Sequence, residues 1–301
     1  MPLHGFQMPR IDRLATVYLC HPLARLTGWT SRYCVPVLAY HSISENLFGK
    51  LHPYHQINTS SSVFAVQMRW LRQAGYHTID LPEMMNSLDT GRDLSRTVVL
   101  TFDDGYRDFY TDAFPLLKQC GFTATVFLAS DRIRNTPACI EGANYLTWRE
   151  VRELHSQGIS FGSHSVTHAD FRSLGPEEIN YELGYSKETI EQEIGVAVDS
   201  FSYPFALPEE DRDFTRYLAD TLENLGYTNG VSSAIGRAKP KEARFFLPRL
   251  PVNSWDDVGL LRAKLEGGYD WLRWPQWFYK FAHHNVSLMG GRSLDQLGSA
   301  K

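Results

Sequence analysis

The chain predicts an α/β fold built on a parallel sheet or barrel, and three observations carry that expectation. Short apolar runs rich in β-branched residues alternate with stretches of helical length between residues 35 and 252. Two of those runs end in residues that a buried strand does not need. Thr97-Val98-Val99-Leu100-Thr101-Phe102 leads into Asp103-Asp104-Gly105, and Ile159-Ser160-Phe161-Gly162 is followed by His164-Ser165-Val166-Thr167-His168. In a parallel α/β fold the carboxyl ends of the strands share one face, where sites gather. Finally, 301 residues with 43% hydrophobic content suffice for one barrel-sized core with chain to spare.

Taken in order, residues 35–40 read as the first strand, leading into His41. Residues 60–75 form an amphipathic helix with Phe64, Met68 and Leu71 at helical spacing. A short strand at 77–81 and a short helix at 82–88 precede the 97–102 strand. A helix over 108–121 ends at Gly121, and a strand follows at 123–129. Thr147-Trp148-Arg149-Glu150 is a capping-box signature that opens a helix running to about residue 157. After the 159–162 strand come a long helix at 176–195 and a strand at 198–203. A helix at 208–225, a strand at 227–232 and a last strand at 245–252 complete the series.

The strand ends carry the chemistry. Neighbouring strand residues point to opposite faces, so the end of the 97–102 strand supplies two carboxylates with different duties, and Gly105 lets the backbone turn. His164 and His168 are four apart and converge on one ion if their segment makes a helical turn. One Asp and two His make a three-ligand divalent site with open positions, and the other Asp remains as a base. Spacing alone leaves open which Asp does which.

At these residues the chain resembles the polysaccharide deacetylases, the NodB-homology domains of carbohydrate esterase family four. Thr101-Phe102-Asp103-Asp104-Gly105 and His164-Ser165-x-x-His168 are similar to that family's first two motifs. Phe201-Ser202-Tyr203-Pro204-Phe205-Ala206 occupies the slot of its third, commonly Phe-Arg-Pro-Pro-Tyr-Gly. The resemblance covers roughly residues 35–254 and implies a distorted (β/α) barrel there. Residues 1–34 are then an amino-terminal extension, and 255–301 an aromatic-rich helical extension and tail. It further implies that Asp104, His164 and His168 hold a divalent metal, usually zinc, with cobalt or nickel as alternatives. Asp103 becomes the base, the Phe205 amide part of an oxyanion hole with Tyr203 beside the substrate, and Pro204 the residue that fixes that turn. The reaction implied is removal of acetyl groups from sugars.

Two features depart from the family pattern. Ser202 stands where the third motif normally has an arginine that hydrogen-bonds the base. Arg249, in Leu247-Pro248-Arg249-Leu250, is a candidate replacement, a surface arginine beside a proline being the other reading. The usual last motif, Leu-x-His, is not found. Val37-Leu38-Ala39-Tyr40-His41 resembles the opening strand of the poly-N-acetylglucosamine deacetylases, which makes His41 an active-site candidate that protonates the amine or contacts the sugar. A satisfied core or loop histidine is the alternative. His52 and His55, in a loop near the expected pocket, carry no assigned role. The expected substrate is an acetamido sugar in a polysaccharide, oligosaccharide or biosynthetic precursor. A non-sugar amide hydrolase of allantoinase or imidase type and a carbohydrate-binding pseudoenzyme are the alternatives. Intact Asp103, Asp104, His164 and His168 favour an enzyme.

Composition narrows the partners. A net charge of −4 with no basic run longer than two residues gives no electrostatic case for nucleic acid. Cys20, Cys34, Cys120 and Cys139 lack C-x-x-C spacing, so neither a zinc ribbon nor a redox motif is expected. Residues 1–33 hold no long apolar run, because Arg13, His21 and Arg25 interrupt it, and no stretch of the chain reaches transmembrane length. The expected location is therefore the cytoplasm. The tail crowds Trp271, Trp274, Trp277, Phe278, Tyr279 and Phe281 beside Arg273 and Lys280. This reads as a closing helix packed on the barrel, or else as a sugar-stacking or peripheral membrane surface. His283 and His284 read as incidental, and the residues from Gly290 as disordered.

Overall fold

A computed structural model describes residues 11–26, 33–45 and 57–278. Seven parallel strands form the barrel: β1 (Val37–Tyr40), β2 (Thr97–Phe102), β3 (Thr125–Leu128), β4 (Ser160–Ser163), β5 (Ser200–Ser202), β6 (Asn229–Ile235) and β7 (Leu247–Pro251). Each strand pairs with the next in sequence, and β1 closes the ring by pairing with both β7 and β2. A short strand, His77–Thr78, lies outside the ring against the start of β2. The expected barrel is thus observed, with helices between its strands.

Period-two alternation sorts the strand residues into two layers. Leu38, Leu100, Val126 and Leu128 share a cluster with Phe64, Met68, Leu154 and Leu183 of the surrounding helices, so this parity points outward. Val37, Val99, Phe127, Val231 and Leu247 form the inner cluster, joined by Leu81, Met84 and Leu88 of the Leu81–Thr90 helix. Gly162 belongs to the inner set. A Cβ there would sit 2.5 Å from the Phe127 ring, so only glycine lets that ring fill the lumen. Continuing the inner parity past the strand ends reaches His41, Asp103 and His164, and within β5 and β7 it includes Ser202 and Arg249. The alternation that packs the barrel also aims these residues at one mouth.

The helices follow their sequence signals with two corrections. The Trp148–Ser156 helix carries the expected capping box from Thr147 and Glu150, and the Arg212–Asn224 helix starts later than expected because Asp211 caps it. The expected helix at 108–121 is instead a π turn, Phe109–Ala113, followed by an α-helix, Phe114–Cys120. Pro115 supplies no N–H and its ring crowds the preceding turn, which widens. The same arrangement recurs where the Thr16–Cys20 π turn precedes Pro22 in the His21–Leu26 helix.

The segment at 11–26 packs on residues beyond the barrel. Arg13 pairs with Asp257, His21 Nε2 lies 2.8 Å from Glu266 Oε2, and Trp271 Nε1–H donates to Thr16 Oγ1 at 3.1 Å. Trp271 is thereby anchored, whereas Trp274 and Phe278 are exposed, so the expected full packing of the tail aromatics on the barrel is not what forms. Tyr279, Lys280, Phe281, His283, His284 and the tail from Gly290 lie outside the described residues, as do His52 and His55. All four cysteines are free thiols. Among the described residues no helix is long and apolar enough to cross a membrane.

Candidate metal centre and active site

The turn after β2 separates two neighbouring carboxylates. Asp103 continues the inward parity of Val99 and Thr101. Asp104 would by alternation face outward, but its backbone is left-handed (φ 72°), and Gly105 follows at φ 73°. A Cβ at Gly105 would lie 2.8 Å from Leu128 Cδ2, so both close approach and positive φ call for glycine. The result places Asp104 Oδ1 3.4 Å from His164 Nε2 and 3.1 Å from His168 Nε2.

The histidines are presented by a loop after β4, not by the helical turn their spacing suggested. Ser165 and His168 have positive φ, at 68° and 62°. The Ser165 hydroxyl accepts from the His168 N–H at 3.0 Å. Glu182, buried on the Pro176–Ile194 helix, accepts from the Val166 and Thr167 N–H groups and the Thr167 hydroxyl at 2.8–2.9 Å. This brace was not found from sequence, although Ile179, Glu182, Leu183, Ser186 and Ile190 do share the helix's buried stripe. His164 Nδ1 lies 2.7 Å from the Ser202 carbonyl oxygen. A carbonyl can only accept, so Nδ1 carries the proton and Nε2 keeps its lone pair for a metal. Among the described residues, Asp104, His164 and His168 form the one cluster of potential metal ligands, with donor atoms all within 4.8 Å of one another. Two imidazoles and a carboxylate suit zinc or a similar divalent ion, with coordination positions left open. Burial alone would raise the Asp104 pKa, but in the absence of a metal ion the two imidazoles, which donate to it from Nε2 when protonated, hold it well below the usual carboxylate range.

Asp103 stands beside this trio in a different setting. Arg249 reaches it from β7 in a two-point contact, Nη1 to Oδ1 and Nη2 to Oδ2, both 2.8 Å. The guanidinium is itself held by the Ser232 carbonyl (3.2 Å) and the Thr101 hydroxyl (3.3 Å), and the Ser202 hydroxyl donates to Asp103 Oδ1 at 3.3 Å. Arg249 is therefore a buried partner of Asp103 and not a surface arginine. Burial, the largest single influence, pushes the Asp103 carboxyl up, but the charge and hydrogen bonds of Arg249 together with the charges of His164 and His41 outweigh it and bring the pKa down to about 2. His41 Nε2 lies 3.8 Å from Asp103 Oδ2, at the same mouth. Desolvation lowers the His41 pKa, against the pull of Asp103 and Asp104.

The third motif folds into the turn after β5. Phe205 has φ 59°, is 53% exposed, and sets its ring 4.8 Å from that of His168. Its N–H donates to no acceptor among the described residues. Tyr203 keeps the outward parity of Phe201, and its ring is buried, 5.4 Å from and stacked on Phe246. A substrate contact from the Tyr203 side chain is thus not supported; only its backbone belongs to the turn. Tyr106, two residues past Asp104, stacks on Tyr145 at 5.2 Å. Among the described residues, four of the seven non-glycine positions with positive φ, Asp104, Ser165, His168 and Phe205, surround the mouth. Strain concentrated in this way marks functional sites.

Comparison with known proteins agrees with this picture. The family model described as polysaccharide deacetylase matches residues 90–230. YxkH of Bacillus subtilis, which carries a polysaccharide deacetylase name, is 30% identical over 223 residues, 73% of this chain and 71% of that protein. The poly-beta-1,6-N-acetyl-D-glucosamine N-deacetylase of Escherichia coli K12 is 31% identical over 120 residues, 36% of this chain but only 18% of that enzyme. Among solved structures, the Streptococcus pyogenes deacetylase PplD in complex with acetate superposes with a TM-score of 0.66 at 23% identity, over 77% of this chain and 98% of PplD. That likeness supports the barrel fold.

Proposed function

The chain belongs to the polysaccharide deacetylase family, and from that premise we propose that it hydrolyses the N-acetyl groups of an acetamido sugar in a polysaccharide, oligosaccharide or precursor. We place the chemistry in residues 35–254, flanked by the segments 1–34 and 255–301. One observation carries the reading: Asp104, His164 and His168 converge, while the adjacent Asp103 is withheld from them by Arg249.

Asp104, His164 and His168 would hold a divalent ion, most simply zinc. Such an ion supplies a Lewis acid that acidifies water and polarises an acetyl carbonyl. Asp103 takes the proton of the attacking water; its ionised state is kept by Arg249, and the Ser202 hydroxyl steadies Oδ1. The Phe205 N–H, free to donate, faces the developing oxyanion. His41 delivers a proton to the departing amine. The protein thereby supplies base, oxyanion donor and acid from three different strand ends. Substrate class rests on two supports. One is His41 at the end of β1; the other is the likeness of 120 residues to an enzyme named for poly-beta-1,6-N-acetyl-D-glucosamine.

The test is acetate release by metal-stripped protein with zinc, cobalt or nickel restored, on N-acetylglucosamine oligomers, acetylated xylan fragments and allantoin. Metal-dependent acetate from the amide sugars is expected. Turnover of allantoin alone would move the assignment to a non-sugar amide, and stoichiometric metal with no turnover of any substrate would argue for a binding role.

A further inference from the structure

The segment at 11–26 is amphipathic in the wrong sense for a helix lying on a soluble protein. Its inward side carries Asp12, Thr16 and Ala24, all buried, with Val17 half-buried against the core, and polar contacts tie it to the body. Tyr269 O–H donates to Asp12 Oδ2 at 3.3 Å, Trp271 Nε1–H donates to Thr16, and His21 meets Glu266. Its outward side carries Ile11, Leu14, Tyr18, Leu19, Leu23 and Leu26, which are 47–83% exposed. A surface helix ordinarily turns its apolar stripe to the core. Here the stripe faces away, and it runs on to Trp274 and Phe278, 68% and 60% exposed. Between the two lies an apolar cavity of about 800 Å³ bordered by Leu23, Trp271, Trp274 and Trp277.

A second cavity, about 430 Å³, flanks the end of the same segment and has the opposite character. Arg25, Arg96, Arg237 and Arg262 line it, against Glu266 within it and Asp270, which pairs with Arg237. The two cavities are neighbours, since Gly236 and Gly267 border the first and Arg237 and Glu266 the second. An apolar band with Tyr and Trp, edged by an excess of guanidinium groups, matches the layering of a bilayer surface. Aromatic residues settle at the boundary, apolar side chains enter just below it, and arginines take headgroup phosphates. A two-fold pairing of two copies through this face would bring their arginine cavities towards each other, which like charge opposes.

We propose that the outward face of residues 11–26, continued by Trp274 and Phe278, docks this protein on an anionic bilayer, with the arginine-lined cavity receiving headgroup phosphate. The helix lies in the plane of the surface and does not span it, and the barrel mouth is left to the substrate.

The test is flotation of the full chain with vesicles of phosphatidylcholine alone and with 30% phosphatidylglycerol, read together with tryptophan emission. The expected result is association with the phosphatidylglycerol vesicles and a blue shift, with at least ~10-fold weaker partitioning to phosphatidylcholine. Leu19→Glu with Leu23→Glu lowers partitioning at least ~10-fold, since each removes an apolar group from the lipid. Because both positions are exposed, thermal melting and acetate release from a soluble oligomer stay as in the parent. Arg96→Glu narrows the preference for the charged vesicles. Absence of association with either vesicle, or a double variant that floats like the parent, would overturn the proposal. So would a concentration-dependent dimer that the double variant abolishes.

Discussion

Two buried acid–base pairs of nearly equal length, one inside the barrel and one just beyond its last strand, differ in what surrounds them. Asp103 meets Arg249 at 2.8 Å, and Asp256 meets Lys264 at 2.7 Å; all four side chains are less than one-tenth exposed. Lys264 is spent on structure. Its ammonium also donates to the Pro251 carbonyl and sits 4.6 Å over the Tyr269 ring, while Asp256 accepts from the Asn253 N–H. Asp103 shares the open mouth with His41, and three potential metal ligands stand beside it. Burial and charge therefore do not identify a site. What does is a carboxylate gripped at two points by a guanidinium and set beside an imidazole and a cluster of potential metal ligands.

The comparison yields expected outcomes of decreasing size. Asp104→Ala and His164→Ala should each remove bound metal and lower acetate release by ~10⁴-fold, because ligands and base act as one unit. Metal content by atomic absorption, read beside turnover, checks this. Arg249→Met and Lys264→Met should each cost ~3–5 kcal/mol in urea unfolding, since each strands a buried carboxylate. Only Arg249→Met should also slow the folded fraction; a turnover loss of equal size in Lys264→Met would erase the distinction. Glu182→Gln should cost ~1–3 kcal/mol and weaken metal affinity with the ligands intact, because one carboxylate orders the histidine loop. The pH effect is the subtlest. With its pKa lowered to about 2, Asp103 contributes stability that is complete above its ordinary value of 3.8 and is lost as pH falls through about 2. In metal-stripped protein the stability gap between wild type and Arg249→Met should accordingly be constant above pH 4 and narrow below it, as urea midpoints across that range would show.

The sequence made some of this visible and hid the rest for physical reasons. The Asp-Asp-Gly and His-x-x-x-His motifs were legible because strand-end chemistry follows local patterns. Arg249 was legible as a candidate because Ser202 leaves the third motif without its arginine and Leu247-Pro248-Arg249-Leu250 offers one in the last strand. The histidine loop was not: His-x-x-x-His spacing fits a helical turn equally well, and the positive φ values depend on Ser165 and the distant Glu182. Alternation, had it been carried past residue 201, would have placed the Tyr203 ring outside the lumen. Nor does an amphipathic pattern state which face is turned inward. The inverted setting of residues 11–26 is decided by Tyr269 and Trp271, far along the chain. The π turn at Phe109–Ala113 was announced by Pro115, a signal weaker than the helical periodicity around it.

The most direct measurement of the central claim is zinc content and acetate release determined on the same preparation of Asp103→Asn. Asn keeps the shape of Asp103 and removes its basicity, so the account requires one zinc per chain with turnover reduced by ~10²–10⁴-fold. Loss of the zinc along with the activity would make Asp103 a ligand and contradict the separation of the two carboxylates, and zinc retained with turnover near that of the parent would remove Asp103 as the base.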